Sequence, residues 1–306
     1  MYTETPAERL FRESQPITHL YTTPLESDVF YHTPEERELA LLYLAIATKS
    51  SGCQLLAYSL MSNHFHFILV GSEEMVNRFW RVLERLLTLY FQRHGRPGLM
   101  KQVHASKTPI TSLSQLRAEI AYVIRNAFVV QRDVHVFADP SSSGFLYFNP
   151  LLVKEGVSAS TLKGRSLRAL TCSRSIDTLD SSIYIKNGKV QPWSFVDYKM
   201  AEAFYDDARQ FVHSVLKNVE AQVETALRYG EKPFLSDDEL RPIVFSLCRD
   251  QFKAEKPEAM DFQDRKRLGV TLKNRYSASN KQIARLAKLS LNDVNALFPL
   301  SAKQQP

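Results

Sequence analysis

The chain has 306 residues, of which 44% are apolar and 24% charged, a composition that excludes a disordered or fibrous polypeptide and leaves room for two or three globular domains. No apolar run approaches the roughly 18 residues of a membrane span, no secretory leader is visible in MYTETPAERLFRES, and Cys53, Cys172 and Cys248 form no CxxC pattern, so a cytoplasmic protein without a membrane partner is expected. The net charge of +6 permits a polyanionic partner, of which nucleic acid is the usual one.

In chain order, ITHLYTT (17–23) reads as a short strand, and PEERELALLYLAIATKS (34–50) as a helix with Pro and two Glu in its first turn. Residues 53–60 and 64–70 read as two strands joined tightly at Met61-Ser62-Asn63. A long amphipathic helix over 73–94 stops at GRPG, a strand follows at 100–108, and a helix capped by Ser112 or Ser114 runs to 129. The order β-α-β-β-α-β, then α, predicts an α+β fold over residues 1–150. It is a ferredoxin-like antiparallel sheet with helices on one face, whose open face suits an elongated ligand.

Residues 157–182 are rich in Ser, Thr and Arg and read as a loosely held linker. A hairpin turning at Asn187-Gly188 is expected within 182–198, giving a linker-and-hairpin segment over 151–198. Residues 199–306 read as mostly helical, with stretches at about 198–229 and 236–252. Near the end, Ser279 with Gln282 and Ser290 with Asp293 cap two short helices, a pattern that fits a helix-turn-helix over 279–298. The positive charge gathers here. Arg265, Lys266, Arg267, Lys273, Arg275, Lys281, Arg285 and Lys288 are the candidate nucleic-acid contacts, although a plain helical hairpin packed on the body would look similar.

The candidate chemistry lies in SLMSNHFHFILV. Side chains at i and i+2 of a strand share a face, so His64, His66, Ile68 and Val70 point one way and Phe65, Phe67 and Leu69 the other. Two neighbouring imidazoles can grip one ion, whereas the pair by itself is equally a pair of hydrogen-bonded histidines. On the helix after the fourth strand, Leu113, Leu116, Ile120, Ile124 and Ala127 form the packing stripe. Tyr122 lies nearly opposite that stripe with Asn126 one turn on, and Gln115 and Glu119 share its side. Imidazoles and an amide oxygen suit Mg²⁺ or Mn²⁺, with positions left open for phosphate oxygens. Tyrosine is a weak nucleophile at its ordinary pKa, and a nearby cation favours the phenolate. Tyr90 is a rival tyrosine, but its spacing with Leu83, Leu86 and Leu87 favours packing. His104 is a candidate accessory ligand, and Glu119, one turn before Tyr122, could tune the metal or the phenol, although a solvated helix face is the simpler account. His19, His32, His94, His135 and His213 have no partner visible in the sequence.

AYSLMSNHFHFILV and AYVIRN resemble the two motifs of the single-tyrosine HUH transposases, which include insertion-sequence single-strand transposases and transposases associated with repetitive extragenic palindromes. The resemblance covers roughly residues 15–150. It implies that His64, His66 and Asn126 bind Mg²⁺ or Mn²⁺ and that Tyr122 is the nucleophile. It further implies cleavage and rejoining of single-stranded or hairpin DNA through a phosphotyrosine, by a monomer or homodimer. Ala127 stands where palindrome-associated members usually carry proline, so the helix is expected to run on past it. A domesticated relative that binds DNA or RNA without cutting is the alternative.

Overall fold

A computed structural model describes residues 4–25, 29–128, 137, 141–216, 237–276 and 278–299, without the side chains of residues 126–128, 237–239 and 242. The chain forms two compact units, Met1–Leu216 and Lys217–Pro306. It is an α+β protein: a four-stranded antiparallel sheet with helices in the first unit, and a helical C-terminal region.

In the first unit the sheet consists of β1 (Ile17–Thr22), β2 (Gln54–Leu60), β3 (Phe65–Val70) and β4 (Ala105–Ile110) in the order β2-β3-β1-β4. Three helices match expectation: α2 (Pro34–Ser51), α3 (Glu73–Arg93) and α4 (Leu113–Phe128). An additional α1 (Pro6–Glu13) precedes β1, closed by a capping box between Thr5 and Glu8. The fourth strand begins later than expected. Gly98, at φ 89°, opens a 3-10 turn over Leu99–Gln102 instead.

Alternation along β3 divides the sheet into two faces. Leu20, Phe65 and Phe67 lie on one face, where Phe67 meets Phe79 of α3 edge-on at 5.3 Å and Phe65 stacks on Phe30 at 4.0 Å. α2 packs on α3. Each such fully buried ring contributes about 2–3 kcal/mol by leaving water. The opposite face is covered by α4, whose Ser112 cap accepts a hydrogen bond from Gln115 N. Residues described as α4 end at Phe128, so its expected continuation lies outside the described residues. The free edge of β2 is paired by residues 141–143, which hydrogen-bond to Tyr58 and Leu60.

Residues 151–198 hold the expected hairpin, β6 (Tyr184–Lys186) and β7 (Lys189–Val190), turned at Asn187 and Gly188 with φ of 51° and 75°. The segment read as a loose linker is packed instead. β5 (Val157–Ser158) joins the hairpin, and α5 (Gly164–Thr171) buries Leu167 and accepts Tyr43 Oη at the Thr171 carbonyl. Few apolar residues are present, but Ala159, Leu167 and Leu179 are all buried, and that anchors it. The expected long helix from 198 breaks after α6 (Tyr198–Ala203) and resumes as α7 (Ala208–Leu216); the remainder to 229 lies outside the described residues.

The second unit packs α8 (Asp237–Phe252), α9 (Phe262–Tyr276), α10 (Asn280–Leu286) and α11 (Leu291–Leu297) around Leu247, Leu268, Leu272, Ile283 and Val294. Both expected caps form, at Ser279 and Ser290. Gly269 lets α10 approach α9, since a Cβ there would stand 3.1 Å from Ile283 Cγ2. Among the described residues no helix is long and apolar enough to cross a membrane.

Candidate active site

β1 and β3 run side by side with Tyr21 opposite His66, and on β2 Ser59 also stands opposite His66. Cross-strand partners share a face, so His19, Tyr21, Ser59 and His66 lie together beneath α4. His64 immediately precedes β3. Its ring centre is 4.8 Å from that of His66, with the planes at 82°. That separation suits two ligands of one ion and equally an edge-on ring contact.

Tyr122 comes from α4. Its ring centre lies 5.5 Å from His66 at 87° and 6.4 Å from His19. The histidine pair and the tyrosine, selected from separate stretches of sequence, are therefore neighbours. Asn126 is one turn further along α4, and its side chain lies outside the described residues.

Two neighbours, His19 and Tyr21, escaped the sequence reading, and a third, Glu119, was weighed there but read as helix surface. His19, which had no visible partner, is fully buried and places Nδ1 3.0 Å from Glu119 Oε2 and Nε2 3.1 Å from His66 Nδ1. Glu119, read as solvated surface, has no exposed area at all. Tyr21 lies nearly parallel to His66 with ring centres 6.4 Å apart, and it is only half-buried. The strand alternation Ile17-His19-Tyr21 was the available signal, but nothing local fixes the register of β1 against β3.

Among the described residues no three His, Cys, Asp or Glu side chains are grouped to hold an ion. Further donors would be oxygens of amide, hydroxyl, water or phosphate. Ser59 Oγ is one such atom, buried beside His66 with no hydrogen-bond partner among the described residues. Two imidazoles with oxygen donors fit a divalent cation of the Mn²⁺ or Mg²⁺ kind.

Burial pushes His64 down to about 3, and it drives His66 well below the ordinary histidine range, helped by the charges of His64 and His19. Both rings are neutral at pH 7, with no proton to displace before an ion binds. The unfolded chain takes up these protons below its ordinary pKa of about 6.5, whereas the folded chain resists until about 3. Stability of the metal-free protein should therefore fall as pH drops through that window. His64 alone should account for roughly 2–3 kcal/mol between about pH 7.5 and about pH 4.5. Chemical denaturation at both pH values checks this, and His64→Gln should shrink the difference.

The remaining candidates fall elsewhere. Tyr90 lies on α3, donates to Glu36 Oε1 at 3.1 Å and stacks on His94, and burial together with the Glu36 carboxylate raises it to about 12. It lines a cavity of about 460 Å³ with Glu36, His94, Cys172 and Lys189, none of which belongs to the histidine cluster. His104 is exposed, just ahead of β4.

The basic residues of the second unit divide into two groups. Arg265 donates to the Lys288 carbonyl, Lys288 pairs with Glu258, Arg267 with Asp264, and Lys273 donates to Asn280 Oδ1. Lys266 sits over Phe262 and Arg275 over Tyr276, and Lys281 and Arg285 are exposed on α10. α11, the second helix of the pair, carries no Lys or Arg. Of the eight candidate contacts, all but Lys288 lie on α9 and α10.

No family model matches the chain, and no curated protein matches it.

Proposed function

We propose that this protein is a metal-dependent transposase that cuts and rejoins single-stranded or hairpin DNA through a covalent phosphotyrosine. One observation carries the reading: the Tyr122 ring stands edge-on, 5.5 Å from His66, whose ring centre is in turn 4.8 Å from that of His64. Mg²⁺ or Mn²⁺ held by His64 and His66, with Asn126 expected to add an oxygen, would polarise the scissile phosphate and favour the phenolate.

Tyr122 Oη loses its proton and attacks phosphorus. The P–O3′ bond breaks, the 3′ oxygen leaves and takes up a proton as a free hydroxyl, and the 5′ phosphate stays on the tyrosine. Another 3′-hydroxyl then reverses the step, which conserves the phosphodiester and needs no nucleotide cofactor. Among the described members of the cluster His66, His19 and Glu119 are fully buried, and Tyr122 keeps 8% and His64 2% of their surface. Substrate therefore approaches from the Tyr122 and His64 side, beside half-buried Tyr21. The exposed cations of α9 and α10 would hold DNA backbone.

A hydrolytic metal site would need a carboxylate base facing water. Glu119 is the carboxylate at hand, but it is fully buried and engaged with His19. Incubating the protein with end-labelled single strands able to form hairpins, with and without Mn²⁺, tests the reading. Cleavage with rejoining to a second strand is expected. Cleavage with a free 5′-phosphate would indicate hydrolysis, and binding without cleavage would indicate the non-cleaving regulator.

A further inference from the structure

The contacts of the side chains around His64 and His66 bear on where their protons sit. Asn63 Nδ2 faces the Leu25 carbonyl at 3.4 Å, which leaves its Oδ1 to accept from His64 Nδ1 at 2.8 Å. His64 thus keeps its proton on Nδ1 and its lone pair on Nε2. A longer chain reaches His66. Glu119 Oε2 lies 3.0 Å from His19 Nδ1, and His19 Nε2 lies 3.1 Å from His66 Nδ1; in the arrangement where His19 is neutral and donates to Glu119, His66 Nδ1 donates to His19 Nε2. His66 is then left with its lone pair on Nε2, as His64 is.

Chance packing does not account for this arrangement. His19, His66 and Glu119 have no exposed area, and they come from β1, β3 and α4. Burying a carboxylate is costly unless its contacts compensate, and a core position on α4 would be filled more simply by an apolar side chain. Outer partners that hold a ligand histidine in one tautomer are a general requirement of metal sites.

We propose that Glu119 and His19 are positioning residues: they fix the His66 proton on Nδ1 and so present Nε2 as the metal donor. The proposal rests on the metal reading above and extends it to two residues that touch neither ion nor DNA. It requires no change in the protonation of any member.

Nitrogen-15 NMR of the metal-free full chain, with histidine signals assigned by substitution, reports the tautomers directly. His66 is expected to be Nδ1-protonated. A His66 proton found on Nε2 overturns the relay without any variant being made. Mn²⁺ titration followed by electron paramagnetic resonance supplies the second readout. Glu119→Leu should weaken Mn²⁺ binding about 10–100-fold and release His66 into both tautomers, whereas Glu119→Gln, which still offers a carbonyl oxygen, should largely restore both. Unchanged Mn²⁺ affinity in folded Glu119→Leu would overturn the proposal, as would a bound ion on His66 Nδ1, which would make His19 a ligand. Failure of the wild-type protein to bind Mn²⁺ would instead remove the metal reading itself and the positioning role with it, while the tautomer measurement would still report where the proton sits.

Discussion

Tyr122→Phe should reduce strand cleavage by at least about 10⁴-fold and leave single-strand binding within about twofold, because only the attacking oxygen is removed. The ring remains, with its edge-on packing at 5.5 Å against His66. The informative control is Tyr21→Phe. Tyr21 faces the same histidine across the sheet and is more exposed than Tyr122, so proximity alone does not separate the two. Position does. Tyr122 arises from α4, with Asn126 one turn on from it, whereas Tyr21 lies in the sheet, nearly parallel to His66. Tyr21→Phe should retain cleavage within a few-fold. The reverse pattern would transfer the nucleophile to Tyr21 and leave the rest of the site in place.

His64→Ala should also abolish cleavage, by a different route. Removing one of two imidazoles leaves a single nitrogen donor, so Mn²⁺ binding should weaken by at least about 10²-fold and cleavage by about 10³-fold or more. The two variants separate on metal binding: Tyr122→Phe should bind Mn²⁺ normally and His64→Ala should not. Equal Mn²⁺ binding by both would mean that His64 serves the fold alone. His64 hydrogen-bonds to the neighbouring Asn63, and circular dichroism of the alanine variant checks that it remains folded.

Much of this site was legible in one dimension, because its parts obey local periodicities. Alternation through HFHFILV separates the imidazoles from Phe65 and Phe67, and the helical stripe through Leu116 and Ile120 leaves Tyr122 facing the other way. The caps at Ser279 and Ser290 announce α10 and α11 by the same local chemistry. The capping box at Thr5 and Glu8 was equally plain and marks α1, which the polar composition of the N-terminus concealed.

What stayed hidden depends on register and on tertiary burial. Glu119 is on the Tyr122 side of α4, which looked like the solvent side because the segment has one apolar stripe. The face opposite that stripe instead covers a sheet lined by His19 and His66, so a charged residue is buried where periodicity predicts water. His19 is 100 residues away from Glu119, and only the pairing of β1 with β3 joins it to His66. Segment 157–182 misled for a related reason. Its small and polar residues form few apolar contacts, but Leu167 and Thr171 are placed where α5 meets buried Tyr43.

Peptide mapping of a protein–DNA adduct tests the central claim most directly. Full-length protein is incubated with single-stranded hairpin DNA and Mn²⁺, denatured, digested with nuclease and protease, and analysed by mass spectrometry. A nucleotide phosphate linked to Tyr122 is the predicted result, absent when Mn²⁺ is withheld. Cleaved DNA with no adduct, or an adduct on any other residue, would contradict it.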